Sequence, residues 1–138
     1  MKVISMLQPW ATLVVIGVIR TETRTWFTKH RGPILIHASQ RKSGKSVMHH
    51  PLLRKYITDF NALPFGAIIG QVTIIDILPA NDYAHSESGR RLLTRLEKWM
   101  GDYSIGKWAW VLRDAVPYQE VIEAKGMLGL WEWGDKYI

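Results

Sequence analysis

The stretch that decides the fold is residues 17–38, which read GVIRTETRTWFTKHRGPILIHA. In its first half the chain alternates, so that Glu22, Arg24 and Trp26 fall on one side and threonines fall on the other, which is the period of a β-strand. Its second half is a short apolar run that also favours a strand, and a Gly-Pro turn signal separates the two. The stretch therefore predicts short strands that follow each other closely.

Outward from this stretch, the sequence predicts further strands and three helices. The helices are expected at 9–16, from residue 51 to about residue 60, and at about 89–100, where Leu92, Leu96 and Trp99 would face the core. The strands are expected at 2–7, 21–26, 34–38, 67–78 with a break at Gly70, 108–112, 118–122 and 130–133. Short strands interrupted by isolated helices predict an α+β fold, a closed or nearly closed antiparallel barrel of about six strands with helices packed outside.

Length and composition bound the class of protein. The chain has 138 residues, 47% hydrophobic and 22% charged, which predicts one globular domain over residues 1–138. Its longest apolar run, at 13–19, is far shorter than the roughly 20 residues that span a bilayer, and no secretory signal pattern precedes it. The chain has no cysteine, which excludes a disulfide framework and a thiolate metal site. We therefore expect a cytoplasmic protein with no membrane contact and no cofactor.

The positive charge is confined to one half of the chain. Residues 1–55 hold ten lysines and arginines against a single acid, Glu22, whereas residues 56–138 hold eight bases against eleven acids. This asymmetry predicts a directed positive field, which suits a partner that carries phosphate groups. The alternative is an ordinary basic domain whose charge serves no partner.

Common catalytic and metal-binding signatures do not fit this sequence. The run SQRKSGKS at 39–46 is similar to a phosphate-binding loop, but a serine replaces the first glycine and Pro51 begins a separate helix, so we interpret it as a basic loop. The adjacent His49 and His50 point apart in any regular structure, so no zinc site is predicted. His37 lies in an apolar run and is interpreted as a hydrogen-bonded core histidine. Without a Gly-x-Ser-x-Gly turn, no serine nucleophile is identified.

The face formed by Glu22, Arg24 and Trp26 is a poor core surface and a good polar site. An indole offers a stacking platform, a guanidinium binds phosphate or carbonyl oxygens, and a carboxylate accepts from an exocyclic amine. The alternative interpretation is a surface ion pair beside an exposed tryptophan. The chain has seven tryptophans, most of which are expected to pack in the core.

Several ordered blocks resemble the ASCH domain, the activating-signal-cointegrator homology domain of the PUA-like superfamily. The blocks are Gln8-Pro-Trp10-Ala, Gly17-x-x-Arg20-x-Glu22-Thr-Arg24-Thr-Trp26, Arg31-Gly32-Pro33-x-x-Ile36-His37-Ala38, Gly66-Ala-Ile-Ile-Gly70, Gly101-Asp102-Tyr103-Ser104-x-Gly106, Trp108-Ala-Trp110-Val-Leu, and Gly126-x-x-Gly129-Leu-Trp131. They cover nearly the whole chain. The resemblance implies a PUA-like β-barrel with flanking helices, and a cleft between barrel and helix that receives RNA or a nucleotide.

We accordingly expect an RNA-binding or nucleotide-binding domain, with RNA single-stranded or structured as the partner. Stacking is assigned to Trp26 and Trp10, and polar recognition to Glu22 and Arg24. The phosphate contacts are assigned to Lys29, Arg31, Arg41, Lys42 and Lys45. The resemblance adds a loop facing the same cleft, formed by Asp102, Tyr103 and Ser104.

Two other functions remain open from the sequence. Some relatives are amidohydrolases acting on N4-acetylcytidine, whose catalytic lysine in a Gly-x-Lys-x-x-Glu-x-Arg segment corresponds to Ile19 here, with Arg20 next to it. Isoleucine cannot transfer a proton, and arginine stays protonated. Other relatives are ribonucleases, for which His30 or His37 with Lys29 would be the available groups. The third hypothesis is an adaptor that binds another protein through exposed aromatic side chains.

Overall fold

A computed structural model describes residues 1–134 of the chain. The elements within those residues are β1 (Lys2–Met6), α1 (Trp10–Val15), β2 (Thr21–Arg24), β3 (Gly32–Ala38), a 3₁₀ segment (Ser43–His49), α2 (Pro51–Arg54), a second 3₁₀ segment (Phe60–Ala62), β4 (Ala67–Pro79), α3 (Ala80–His85), α4 (Glu87–Leu92), α5 (Arg95–Met100), β5 (Trp108–Glu123) and β6 (Leu130–Glu132). No helix in this part of the chain is both long enough and apolar enough to cross a membrane. Residues 135–138 of the predicted domain lie outside the described range.

The six strands form one mixed sheet in the order β2-β5-β4-β3-β1-β6. The β1 and β3 strands run parallel, and the other neighbouring pairs run antiparallel. The parallel pair places Ser5 beside His37, and the antiparallel pair of β2 and β5 places Glu22 beside Trp110. These two registers position the groups that matter for the site.

The sequence predicts a closed or nearly closed barrel, and the sheet does not close into one, although the α+β class and the mainly antiparallel pairing are right. The strands β2 and β6 stand at the two ends of the strand order, and no backbone ladder joins them among residues 1–134. The sheet nevertheless curls. The evidence is that the Arg24 side chain on β2 donates to the backbone carbonyl of Ser5 on β1, at 3.1 Å.

The core lies between this curved sheet and α1. Leu13, Val14 and Val15 of α1 are buried against the sheet together with the fully buried Trp110. Gly70 on β4 permits this packing, because a Cβ there would lie 2.8 Å from the Val15 side chain. The residue that was expected to break the strand is therefore a point of close approach, with a shift in register between β4 and β5 beside it.

Two strands predicted from the sequence are one. The segments 108–112 and 118–122 belong to the continuous β5, which bends where Asp114 adopts a positive φ of 57°. The strand predicted at 21–26 ends at Arg24, so Trp26 follows it instead of lying on it. The periodicity of the sequence does not predict where these strands begin and end, because pairing with a neighbouring strand decides how far a strand continues.

Two helices are shorter than predicted. The helix expected from Pro51 ends at Arg54, and Phe60 lies in a separate 3₁₀ segment. The helix expected at 89–100 is divided into α4 and α5 by Thr94, whose side chain forms a capping box with Glu97. The division changes the buried face: Leu93 and Leu96 are buried, whereas Leu92 and Trp99 are about 40% exposed.

Candidate functional site

A cleft of about 700 Å³ opens where β2 approaches the end of β1. Its walls come from the ends of β1 and β3, from β2, from the first residue of α1, from the last residue of α5, and from the loop that follows β5. The cleft therefore lies where the curved sheet does not close, between β2 and the end of β1. Of the residues assigned from the sequence, it contains Trp10, Glu22, Arg24 and Arg41.

Glu22 and Arg24 form an ion pair in the wall of this cleft. One guanidinium nitrogen of Arg24 lies 3.3 Å from a carboxylate oxygen of Glu22 and also donates to the carbonyl of Ser5. Glu22 is only 8% exposed. Burial raises the pKa of its carboxyl group above 4.5, although Arg24 and the Thr23 backbone act in the opposite direction. Because Glu22 is buried and Arg24 is partly buried, the alternative of a surface ion pair beside an exposed tryptophan is wrong.

Trp10 forms another part of the cleft wall. It is the first residue of α1 and is half-buried, and its indole N–H donates to the carbonyl of Met100 at 3.1 Å. Met100 also lines the cleft. This hydrogen bond fixes the ring between α1 and α5, so the cleft has a rigid aromatic wall.

Two cations lie in the cleft with their side chains exposed, Arg41 after β3 and Lys125 after β5. Arg41 is held through its backbone N–H, which donates to Ser39 Oγ at 3.2 Å. The sequence assignment included Arg41 and missed Lys125, because Lys125 belongs to the acidic half of the chain. Only the return of β5 alongside β4 brings it to this cleft.

Ser5 and His37 also line the cleft, and neither is among the RNA-binding residues assigned from the sequence. The Ser5 hydroxyl oxygen lies 3.0 Å from His37 Nδ1, and His37 Nε2 lies 2.7 Å from the carbonyl oxygen of Ala124. His37 is buried and hydrogen-bonded, as expected, but it lies at the cleft instead of inside the core. Burial lowers the pKa of its imidazole below 6.5.

The remaining assigned basic residues and Trp26 lie outside the cleft lining. Trp26 packs its ring against the buried Trp110, with the centroids 4.9 Å apart. Arg31 approaches Asp76 and the Phe27 ring, and Lys42 lies over the Phe65 ring. The side chains of Lys29 and Lys45 are exposed.

The loop formed by Asp102, Tyr103 and Ser104 is attached to β2 beside the cleft. The Asp102 backbone N–H donates to the hydroxyl of Thr23, which lines the cleft, at 2.8 Å. The Asp102 carboxylate accepts from the Ser104 backbone and hydroxyl, which lowers the pKa of Asp102. The Tyr103 hydroxyl is buried without a hydrogen-bond partner among residues 1–134, and burial raises its pKa. The three side chains themselves lie outside the lining.

Within residues 1–134 no three His, Asp or Glu side chains lie close enough together to hold a metal ion. The chemistry available in the cleft is therefore that of a buried carboxylate, three cations, an indole and a serine–histidine pair. These groups can bind a polar anionic ligand, and the serine–histidine pair can move a proton.

Comparison with known proteins identifies the family of this chain. The sequence profile of the ASCH domain matches residues 4–126. The chain belongs to the ASCH domain family. Among solved structures, it is similar to the ASCH protein of Zymomonas mobilis, with a TM-score of 0.55 and 19% identity over 88% of this chain and 72% of that one. A serine-to-alanine mutant of that protein gives a TM-score of 0.52 and 19% identity over 86% and 70% of the two chains. These structures support the fold alone.

Two mammalian relatives are more similar in sequence. Activating signal cointegrator 1 from mouse is 40% identical over 86 residues, and the human protein is 36% identical over 86 residues. In both cases the match spans 58% of this chain and only 15% of the relative. The match therefore covers only a small part of the length of those proteins.

Ile19, the residue that the sequence resemblance aligned with a catalytic lysine, lies in the core. It is 2% exposed and belongs to the main core cluster. It does not line the cleft with Glu22 and Arg24. In this ASCH domain the position is a packing position.

Proposed function

We propose that this ASCH domain binds single-stranded RNA, or a nucleotide within it, in the cleft between β1 and β2. The observation that carries the proposal is the ion pair of the buried Glu22 with the partly buried Arg24, which lines the same cleft as Trp10. Removing two charges from water is unfavourable unless their attraction and further polar contacts offset it. A charged pair held at a cleft wall is therefore suited to binding a polar ligand.

The size of the cleft supports a single nucleotide as its occupant. Ligand sites are commonly clefts of about 300–1,000 Å³, and this cleft measures about 700 Å³. A double helix does not enter such a space, but an unstacked base of a single strand does. The proposal therefore favours single-stranded RNA over a duplex.

The hydrogen-bonding chemistry of the pair supports recognition of a base edge. An ionised carboxylate only accepts, so Glu22 in its ionised form fits an exocyclic amine such as N4 of cytosine. The guanidinium of Arg24 only donates, which fits a base carbonyl or a phosphate oxygen. Together the two groups match a ligand edge that presents a donor beside an acceptor.

The exposed cations of the cleft support a phosphate-bearing ligand. Arg41 and Lys125 are exposed and line the cleft, where each can neutralise a phosphate. The basic segment 1–55 supplies further exposed cations outside the cleft, which suits an RNA strand longer than one nucleotide.

The test is a titration of fluorescently labelled single-stranded RNA at several salt concentrations. The double variant Arg41→Ala with Lys125→Ala removes two cleft cations, and Arg91→Ala with Lys98→Ala removes an exposed arginine and lysine from α4 and α5 as a matched control. We expect weaker binding and a log–log salt slope flatter by about 1.4 for the cleft variant, at about 0.7 per phosphate contact. Equal losses of RNA affinity in both variants would contradict the cleft as the binding site. No binding by the wild-type protein at low salt would remove RNA as the ligand.

A further inference from the structure

Ser5 and His37 meet through the parallel pairing of β1 with β3, in which they are register partners. The hydroxyl oxygen of Ser5 lies 3.0 Å from Nδ1 of His37, and Nε2 of His37 lies 2.7 Å from the carbonyl oxygen of Ala124. Both side chains line the cleft. A nucleophile bonded to a base, and a base oriented by a third group, is the arrangement of covalent acyl-transfer sites.

The hydrogen bonds fix where the protons lie. A carbonyl oxygen only accepts, so the Ala124 carbonyl requires the proton on Nε2 of His37. Burial lowers the pKa of the imidazole, so Nδ1 carries a free lone pair at neutral pH. That lone pair accepts the hydroxyl proton of Ser5. The neutral ring is thus in the tautomer that a general base for Ser5 requires.

We propose that Ser5 is a nucleophile and His37 its general base, and that the cleft hydrolyses carboxylic esters through an acyl-serine. This proposal goes beyond RNA binding and does not depend on it.

The reaction balances with water as the only co-reactant. Ser5 Oγ forms a bond to the acyl carbon while its proton passes to His37 Nδ1. The ester C–O bond breaks, and the leaving alcohol takes that proton. Water then attacks the acyl-serine, giving one proton to Nδ1, which returns it to Ser5 Oγ as the carboxylic acid leaves.

The surroundings of the pair fit this chemistry. Arg24 donates to the backbone carbonyl of Ser5, so its guanidinium is held beside the nucleophile, where a positive charge stabilises a tetrahedral oxyanion. Gly126, in the loop after β5, lies close to the pair, because a Cβ there would lie 2.8 Å from Ser5 Oγ and 2.7 Å from His37 Cε1. Only a glycine lets the backbone approach so closely without pushing the two side chains apart.

The first experiment uses a fluorophosphonate, a reagent that modifies activated serines, and follows labelling by intact mass. We expect one label on the wild-type protein, none on Ser5→Ala, and an unchanged label on Ser46→Ala. Ser46 is the control because it lies outside the cleft lining and its hydroxyl donates to the backbone carbonyl of Ser43 instead of contacting a histidine. An unlabelled wild-type protein, or a label that persists in Ser5→Ala, would overturn the proposal.

The second readout separates a general base from a structural hydrogen bond. His37→Asn retains a hydrogen-bond acceptor near the position of Nδ1 but removes its basicity, so we expect labelling and p-nitrophenyl acetate hydrolysis to fall by at least about 100-fold. In the wild type both rates should rise with pH through the lowered pKa of His37, below 6.5, and then level off. A rate that is unchanged in His37→Asn at any pH would refute its role as the base.

A thiol variant keeps the proposal testable if His37→Asn fails to fold. The chain has no cysteine, so Ser5→Cys and Ser39→Cys each introduce a unique thiol. Because an adjacent imidazole promotes thiolate formation, we expect iodoacetamide to alkylate Ser5→Cys about tenfold faster than Ser39→Cys at pH 7. Equal rates would show that His37 does not activate residue 5.

Discussion

Glu97 accepts a hydrogen bond from the backbone N–H of Arg20, at 2.8 Å across 77 residues of sequence. Its other carboxylate oxygen accepts from the Thr94 backbone, which completes the capping box of α5. Glu97 is 2% exposed, so this buried carboxylate joins α5 to the chain immediately before β2. Glu97 therefore helps to position β2, the strand that carries Glu22 and Arg24.

Glu97→Ala is expected to destabilise the protein by about 2–4 kcal/mol, because two backbone donors lose a charged acceptor inside the protein. The control is Glu87→Ala, which removes an exposed glutamate from the first turn of α4 and should change stability by less than about 1 kcal/mol. Urea unfolding measures both. Similar small changes in the two variants would show that the link does not support the fold.

Glu22→Gln should change the pH dependence of stability. The raised pKa of Glu22 means that the folded state holds this proton more tightly than the unfolded state. Its contribution to stability is therefore complete below its ordinary pKa of 4.5 and declines as pH rises through the folded-state value. Glutamine does not ionise, so the stability of Glu22→Gln relative to wild type should rise with pH above 4.5.

Unfolding titrations at pH 4, 5, 6 and 7 would measure this difference for wild type and Glu22→Gln. Asp102→Asn is a suitable comparison, since the pKa of Asp102 is lowered from 3.8, so its stability relative to wild type should stay nearly constant between pH 4 and 7. Parallel curves for wild type and Glu22→Gln would contradict the burial of an ionisable carboxyl.

The two candidate stacking residues should differ in RNA binding. Trp10→Leu removes an aromatic wall of the cleft, so we expect a loss of about 1–3 kcal/mol in RNA affinity, the usual effect of losing a stacking platform. Trp26→Leu removes a ring packed against Trp110, so it should lower stability and leave the affinity nearly unchanged. Both affinities are measured by anisotropy well below the melting temperatures. A larger loss of RNA affinity for Trp26→Leu than for Trp10→Leu would assign the stacking role to Trp26 instead of Trp10.

The outer cations should affect long ligands only. Lys42 and Lys45 lie outside the cleft, so replacing both by alanine should weaken all single-stranded RNAs equally and flatten the salt slope by about 1.4. Binding of a mononucleotide should not change in this variant, whereas it should weaken in Arg41→Ala with Lys125→Ala. Isothermal titration with both ligands separates the two sets, and a mononucleotide effect at Lys42 and Lys45 would place them in the site.

Local pattern was sufficient for the identity of most elements. The alternation at 21–26, the apolar run at 34–38 and the helix at 9–16 correspond to β2, β3 and α1, because side-chain periodicity records which face of an element is buried. The ordered sequence blocks were also sufficient for the ASCH family, whose profile matches residues 4–126. What these signals could not give is the length of a strand or the closure of a sheet.

Membership of the cleft was decided only by tertiary structure. Glu22 and Arg24 were visible from their spacing along one strand, but Ser5 and His37 meet across 32 residues of sequence, and Ala124 joins them across a further 87. No periodicity predicts such a meeting, because it depends on which strands pair and in which register. The sequence by itself determined the approximate place of most strands and helices and the charge they carry. The curl of the sheet decided which of those residues face one another. It brings Arg24 of β2 to the backbone carbonyl of Ser5 on β1 without closing the sheet.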